Sequence, residues 1–136
     1  LSDDFRRAGI DADCIHGDIP QQKREKTMRT FKDGKLPILI ATDVASRGID
    51  VDDVDCVLNY DIPEENEYYI HRIGRTGRAR KKGISFTLLG SFPEKAKLDE
   101  IAKFAGFRIV PMIFDEYGCL VPAPAEEKHP TSRRRF

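Results

Sequence analysis

Pro37-Ile38-Leu39-Ile40-Ala41-Thr42-Asp43 decides the architecture. An unbroken apolar run that stops on Thr-Asp reads as a strand buried on both faces, because a half-covered strand would alternate apolar with polar residues. Such strands belong to parallel sheets sandwiched by helices. The polar residues that follow, Thr42 and Asp43, then lie at the carboxyl end of the strand, the edge where open α/β sheets bind ligands.

Working outward, short β-rich runs at 12–16, 37–41, 56–60 and 84–89 alternate with segments of helical periodicity at 21–31, 64–73 and 95–104. The helical segments each offer one apolar face: Met28 and Phe31; Tyr69, Ile70 and Ile73; Leu98, Ile101, Ala102 and Phe104. Pro20 suits a first helical turn, and Gly34 and Gly106 suit helix ends. The expected class is α/β, a parallel sheet flanked by helices. Residues 1–9 read as the closing turns of an amphipathic helix with no strand before it, so a preceding strand is expected to be missing. Backbone groups left unpaired by that truncation would let the fragment associate with itself. From Pro122 the chain is rich in proline, charge and small residues and ends Arg133-Arg134-Arg135-Phe136. The expected division is a lobe over 1–121 and a flexible tail over 122–136.

With 136 residues and 40% hydrophobic content, one core burying roughly two-thirds of the unfolded surface is expected. The 23 basic and 23 acidic residues cancel, but they are segregated. Eight acidic and no basic residues fall in 48–67, and six lysines and arginines with no acid in 71–83. That pattern favours a local anion site over a uniformly basic surface. Cys14, Cys56 and Cys119 are too few and too scattered for a disulfide framework or a metal cluster, and are expected as buried reduced thiols. No apolar run has the length of a membrane span and no signal peptide is evident, which points to a cytoplasmic protein without a membrane partner.

Three motifs carry chemistry. In His71-Arg72-Ile73-Gly74-Arg75-Thr76-Gly77-Arg78, glycines interleave with arginines, so the backbone can approach closely while guanidinium groups converge. His71, Arg75 and Arg78, spaced four and three apart, would share a face if the turn continues. A guanidinium stays charged at any working pH and can bind two phosphoryl oxygens. A merely solvated basic helix would not carry two glycines, each costing about 1 kcal/mol in a helix interior. In 41–50 the residues Thr42, Asp43 and Asp50 follow the buried strand; Thr-Asp alone is more often a turn with a helix cap than a binding site, and it is the partnership with the arginine block that makes these residues contact candidates. His16-Gly17-Asp18, with Gln21 and Arg24 on the first turn of the next helix, offers backbone N–H groups and two side chains suited to one stretch of nucleic-acid backbone, although without the other motifs a solvated first turn is the commoner reading and a lone His16 is more often structural.

Together these motifs resemble the DEAD-box RNA helicases of superfamily two, whose second RecA-like lobe carries them in the same order over nearly the whole chain before the tail. Residues 71–78 look like motif VI, 41–50 like motif V, and Gln21 with Arg24 like motif IVa. His71 in place of glutamine favours the DEAD-box branch. The resemblance implies that Arg75 and Arg78 are arginine fingers reaching the ATP γ-phosphate, worth roughly 10³ to 10⁵ in rate in phosphoryl-transfer enzymes. It implies that Asp50, with Gly48 beside it, contacts the ATP ribose, and that His71 links the nucleotide and RNA sites. Gly17, Asp18, Gln21, Arg24, Thr42 and Asp43 would line the path of single-stranded RNA or a locally unwound duplex. Roles for Arg47 and Arg72 stay open, with salt-bridging inside the lobe as the default. Motif IV and the first RecA-like lobe, expected to hold ATP and Mg²⁺, are absent from this sequence, so it is expected to be inactive alone. A non-catalytic RNA-binding or partner-docking module and a DNA helicase lobe are the alternatives.

Overall fold

The computed structural model describes residues 1–46, 51–78 and 80–125. They divide into two compact units, the first Leu1–Gly90 and the second beginning at Ser91.

The first unit contains four short strands in two parallel pairs. Helix α1 (Ser2–Arg7) leads into β1 (Ala12–Ile15), α2 (Gln21–Lys32) and β2 (Ile38–Ala41), with β1 and β2 paired from Ala12↔Ile38 to Ile15↔Ala41. Then come α3 (Asp43–Ser46), β3 (Cys56–Asn59), α4 (Asn66–Ile73) and β4 (Ile84–Thr87), with β3 and β4 paired from Cys56↔Ile84 to Asn59↔Thr87. Parallel neighbours separated by a helix are what the alternating sequence pattern demands. Among the described residues no ladder joins β2 to β3, so the expected sheet appears as two parallel pairs. This leaves Ile38, Leu39 and Ile40 half-buried instead of fully enclosed.

Apolar burial fixes which face of each element turns inward. Ala12, Ile15 and Leu36 form the core around β1, where Thr27 of α2 donates from Oγ1 to Asp13 Oδ2 at 3.3 Å. Around β3 and β4 the inward face is partly polar. Tyr69 of α4 is 4% exposed; its hydroxyl lies 2.8 Å from Thr87 Oγ1, which also accepts from Asn59 Nδ2 at 3.3 Å. The opposite face of this pair carries Leu58, Ile84 and Phe86, all exposed. Cys56 sits on it too, and Cys119 is likewise exposed while Cys14 is partly covered. All three thiols are free, but the expectation that they are buried fails for Cys56 and Cys119. Strand alternation puts Cys56 on the uncovered face.

In the second unit, α5 (Phe92–Ala105) begins at an N-cap serine: Ser91 Oγ accepts from Glu94 N at 3.4 Å, and Pro93 occupies the first turn. Gly106, at φ 73°, closes the helix in the left-handed region where glycine is favoured. Leu98, Ile101 and Ala102 are its buried residues. A hairpin follows, β5 (Met112–Phe114) antiparallel to β6 (Leu120–Pro122). Asp115 Oδ1 accepts from Tyr117 N at 2.9 Å and Cys119 N at 2.8 Å, holding its turn. Pro122 belongs to β6, and Ala123 N donates to Pro111 O at 2.8 Å, so ordered pairing runs past the expected start of the tail. Residues 126–136 of that tail lie outside the described residues. Among the described residues no helix is long and apolar enough to cross a membrane.

Candidate functional site

The arginine segment is built by the end of α4. Its last turn continues beyond Ile73 through Arg75 N to Arg72 O and Thr76 N to Ile73 O, both at 3.2 Å. Gly77, at φ 69°, then breaks it in a conformation that side chains rarely adopt. The break brings Arg78 back toward Arg75. Asp52 Oδ1 lies 2.9 Å from Arg78 Nη1 and 3.6 Å from Arg75 Nη1, an ion pair with each. Arg78 Nε also donates to the Gly74 carbonyl. Both arginines are outward and partly exposed, beside the start of β3, where Val54 N donates to Arg75 O at 3.1 Å and Thr76 Oγ1 to Asp55 O at 3.3 Å. The two guanidinium groups thus meet one anionic oxygen, a donor set suited to phosphate.

Arg72 does different work. Its Nε and Nη2 donate to Asp43 Oδ1 and Oδ2 at 2.7 and 2.6 Å, and its Nη1 donates to Asp61 O and Oδ1 at 2.8 and 3.0 Å. It therefore ties α4 to the carboxyl ends of β2 and β3. The hydrogen bonds Arg72 donates to Asp43, with those to Asp61 and the charges of both carboxylates, raise its pKa above the ordinary value against partial desolvation. The default role expected for Arg72 is the one observed. Asp43, expected on the RNA path, has both carboxylate oxygens turned to Arg72 instead.

The other candidates for the RNA path gather at the carboxyl edge of the β1–β2 pair. Thr42 N donates to Ile15 O at 3.4 Å, so the segment 16–18 and Thr42 are neighbours. Thr42 Oγ1 accepts from Ala45 N at 3.4 Å, which makes it the cap of α3 as well. Asp18 N donates to His16 Nδ1 at 3.2 Å, turning the chain at Gly17, around which a side chain would meet nothing within 4 Å. Gln21 and Arg24 share a face of α2 as their spacing requires: Arg24 Nη2 donates to Gln21 Oε1 at 2.6 Å, and Gln21 Nε2 to Glu25 Oε1 at 2.9 Å. His71 is exposed on α4. Gly48 and Asp50, the ribose candidates, and Arg47 lie outside the described residues.

Two acidic partners and one glycine escaped the sequence reading. In the sequence Asp52 and Asp61 are only members of the acidic run 48–67, set against the basic run 71–83, and nothing in their spacing marks them as partners of particular arginines. Gly83 precedes β4 with no motif around it, yet a Cβ there would collide with the Gly77 backbone and Thr76 Oγ1. It is what allows the start of β4 to lie against the arginine turn.

Residues 2–80 match the helicase conserved C-terminal domain. A Mus musculus protein named probable ATP-dependent RNA helicase DDX17 is 47% identical over 111 residues, covering 80% of this chain and 17% of that protein. The solved C-terminal domain of the DEAD-box protein Dbp5 superposes with TM-score 0.72 at 34% identity, covering 76% of this chain and 61% of that one. A variant of S. cerevisiae Dbp5 bound to RNA and ADP BeF3 gives TM-score 0.72 at 34% identity, over 77% of this chain and 28% of that one. The chain belongs to the helicase conserved C-terminal domain family, in its DEAD-box branch, and its fold is the RecA-like lobe of that family. It spans only 17% of the length of the mouse relative.

Proposed function

We propose that this chain is the second lobe of an ATP-dependent RNA helicase, presenting Arg75 and Arg78 to the γ-phosphate of ATP held by a first lobe. The observation that carries this reading is the convergence of both guanidinium groups on one oxygen of Asp52. A pair that already gathers around an anion is suited to the charge that spreads over a transferring phosphoryl group. When ATP is bound it supplies the phosphoryl group and Mg²⁺ comes with it on the first lobe; this chain contributes positive charge and alignment. Asp50 with Gly48 would meet the ribose, and His71 would face the seam between nucleotide and RNA.

The RNA path runs over Gly17, Asp18, Gln21, Arg24 and Thr42, whose adjacency at one sheet edge supports a single continuous track. Contacts there reach phosphate and sugar, so binding is expected to be indifferent to base sequence and to weaken with salt. Discrimination against DNA would come from the 2′-hydroxyl. Asp43 acts on this track through Arg72, fixing the strand end that carries Thr42. The mouse helicase and the RNA-bound Dbp5 variant support the reading by likeness.

The test is Arg75→Ala in the complete two-lobed protein. ATP turnover is expected to fall by roughly 10³ or more with RNA affinity unchanged. Equal loss of both would overturn the role given to Arg75, and retained turnover would refute the reading.

A further inference from the structure

We propose that Asp52 is a positioning residue, the resident counter-ion that gathers Arg75 and Arg78 and yields them to the γ-phosphate of ATP. The proposal rests on the reading of those arginines given above. Two guanidinium groups three residues apart repel one another unless an anion sits between them. Asp52 Oδ1 occupies that place, 2.9 Å from Arg78 Nη1 and 3.6 Å from Arg75 Nη1.

The segment around Asp52 is anchored on both sides. Val51, 8% exposed, is buried, and Asp53 turns the backbone at φ 62°, a conformation aspartate tolerates better than most residues. Immediately after it, Val54 N bonds to Arg75 O, Thr76 Oγ1 to Asp55 O, and Lys81 Nζ lies 3.3 Å from Asp53 Oδ2. The backbone carrying the carboxylate is therefore stitched to the backbone carrying the arginines. Asp52 meets them by construction of the fold, not by a chance excursion of a surface side chain.

Exposure makes the contact exchangeable. Side chains of Arg75, Arg78 and Asp52 are 35%, 48% and 41% accessible, so each ion pair is weak and screened. A terminal phosphoryl group brings more charge and more acceptor oxygens than one carboxylate, and so displaces it. ADP carries no γ-phosphate and would leave Asp52 in place. Asp52 thus tunes how readily the lobe distinguishes nucleoside triphosphate from diphosphate.

The experiment uses the complete two-lobed protein with RNA at saturation and fixed salt. Asp52→Asn removes the competing charge and keeps the shape. The ATP KM is expected to fall about two- to fivefold, the range set by an exposed ion pair, while the ADP inhibition constant stays as it is. Asp52→Glu is expected to restore the ATP KM. An Asn variant whose ATP KM is unchanged or raised, or whose ATP and ADP constants move together, overturns the proposal. If Arg75→Ala abolishes turnover while Asp52→Asn is neutral, only the role of Asp52 falls; if Arg75→Ala retains turnover, the reading beneath it falls.

Discussion

Arg72 and Asp43 are joined by two parallel hydrogen bonds, 2.7 and 2.6 Å long, that fasten the helix of the arginine motif to the end of β2. Fork-to-fork pairing of this kind needs the planar guanidinium, and here it is only 20% exposed on the arginine side. Arg72→Ala is expected to cost about 2 kcal/mol of stability, since it takes two charge-assisted hydrogen bonds from a partly buried carboxylate. Arg72→Lys should recover only part of that loss, because one ammonium cannot replace the fork. Denaturant unfolding of both variants checks this; an Ala variant within about 0.5 kcal/mol of the parent would contradict it.

Gly83 lies against Gly77 and Thr76 so closely that a methyl group has no room. Gly83→Ala is expected to displace the arginine turn or the start of β4 and to destabilise the lobe by about 1–3 kcal/mol, as overpacking does. Gly17→Ala, where the surroundings are open, serves as the contrast and should be tolerated. Thermal unfolding of the pair decides it, and an indistinguishable Gly83 variant would refute the close approach.

The Cys56 thiol is pushed above its ordinary pKa by partial burial of the group and then by the charge of Asp55. Both causes disfavour the thiolate. Cys56 is therefore expected to react with iodoacetamide more slowly than free cysteine at neutral pH although its side chain is exposed. The raised value also has a sign for stability: its contribution is full below the unfolded pKa and is lost as pH rises through the folded one. Alkylation rates from pH 7 to 10, read by peptide mass spectrometry, test this. A rate matching free cysteine at every pH would count against it.

Leu58, Ile84 and Phe86 line one exposed face of the β3–β4 pair. Among the described residues no ladder joins β2 to β3, and exposed strand edges and apolar faces are templates for pairing. The isolated 136-residue chain is expected to self-associate as its concentration rises, and Phe86→Lys should suppress this. Light scattering over a concentration series measures it; a monomer throughout would contradict the expectation.

Much of the fold was readable because each β-rich run is punctuated by proline, glycine or a change of period. All four parallel strands fall within residues 12–16, 37–41, 56–60 and 84–89, where they were expected. The hairpin was not, because Met112–Phe114 and Leu120–Pro122 are three residues each and Pro122 argues against a strand. Its turn was signalled by Asp115 and Gly118. Helix α5 begins at Phe92, before the expected Lys95, and the Ser91-to-Glu94 capping spacing marked that start. In the site, the glycines between Arg72, Arg75 and Arg78 were legible as a place of close backbone approach where guanidinium groups converge. The partners Asp43, Asp52 and Asp61 were not, because the pairs span 11 to 29 residues and depend on how separate elements pack.

The most direct measurement is the affinity of the two-lobed protein with RNA for ADP with beryllium fluoride, set against its affinity for ADP alone. The fluoride complex places a phosphoryl mimic where Arg75 and Arg78 should converge. The parent is expected to prefer it strongly, and Arg75→Ala and Arg78→Ala should each remove most of that preference while ADP binding holds. Variants that keep the parent's full preference would contradict the role given to this arginine pair.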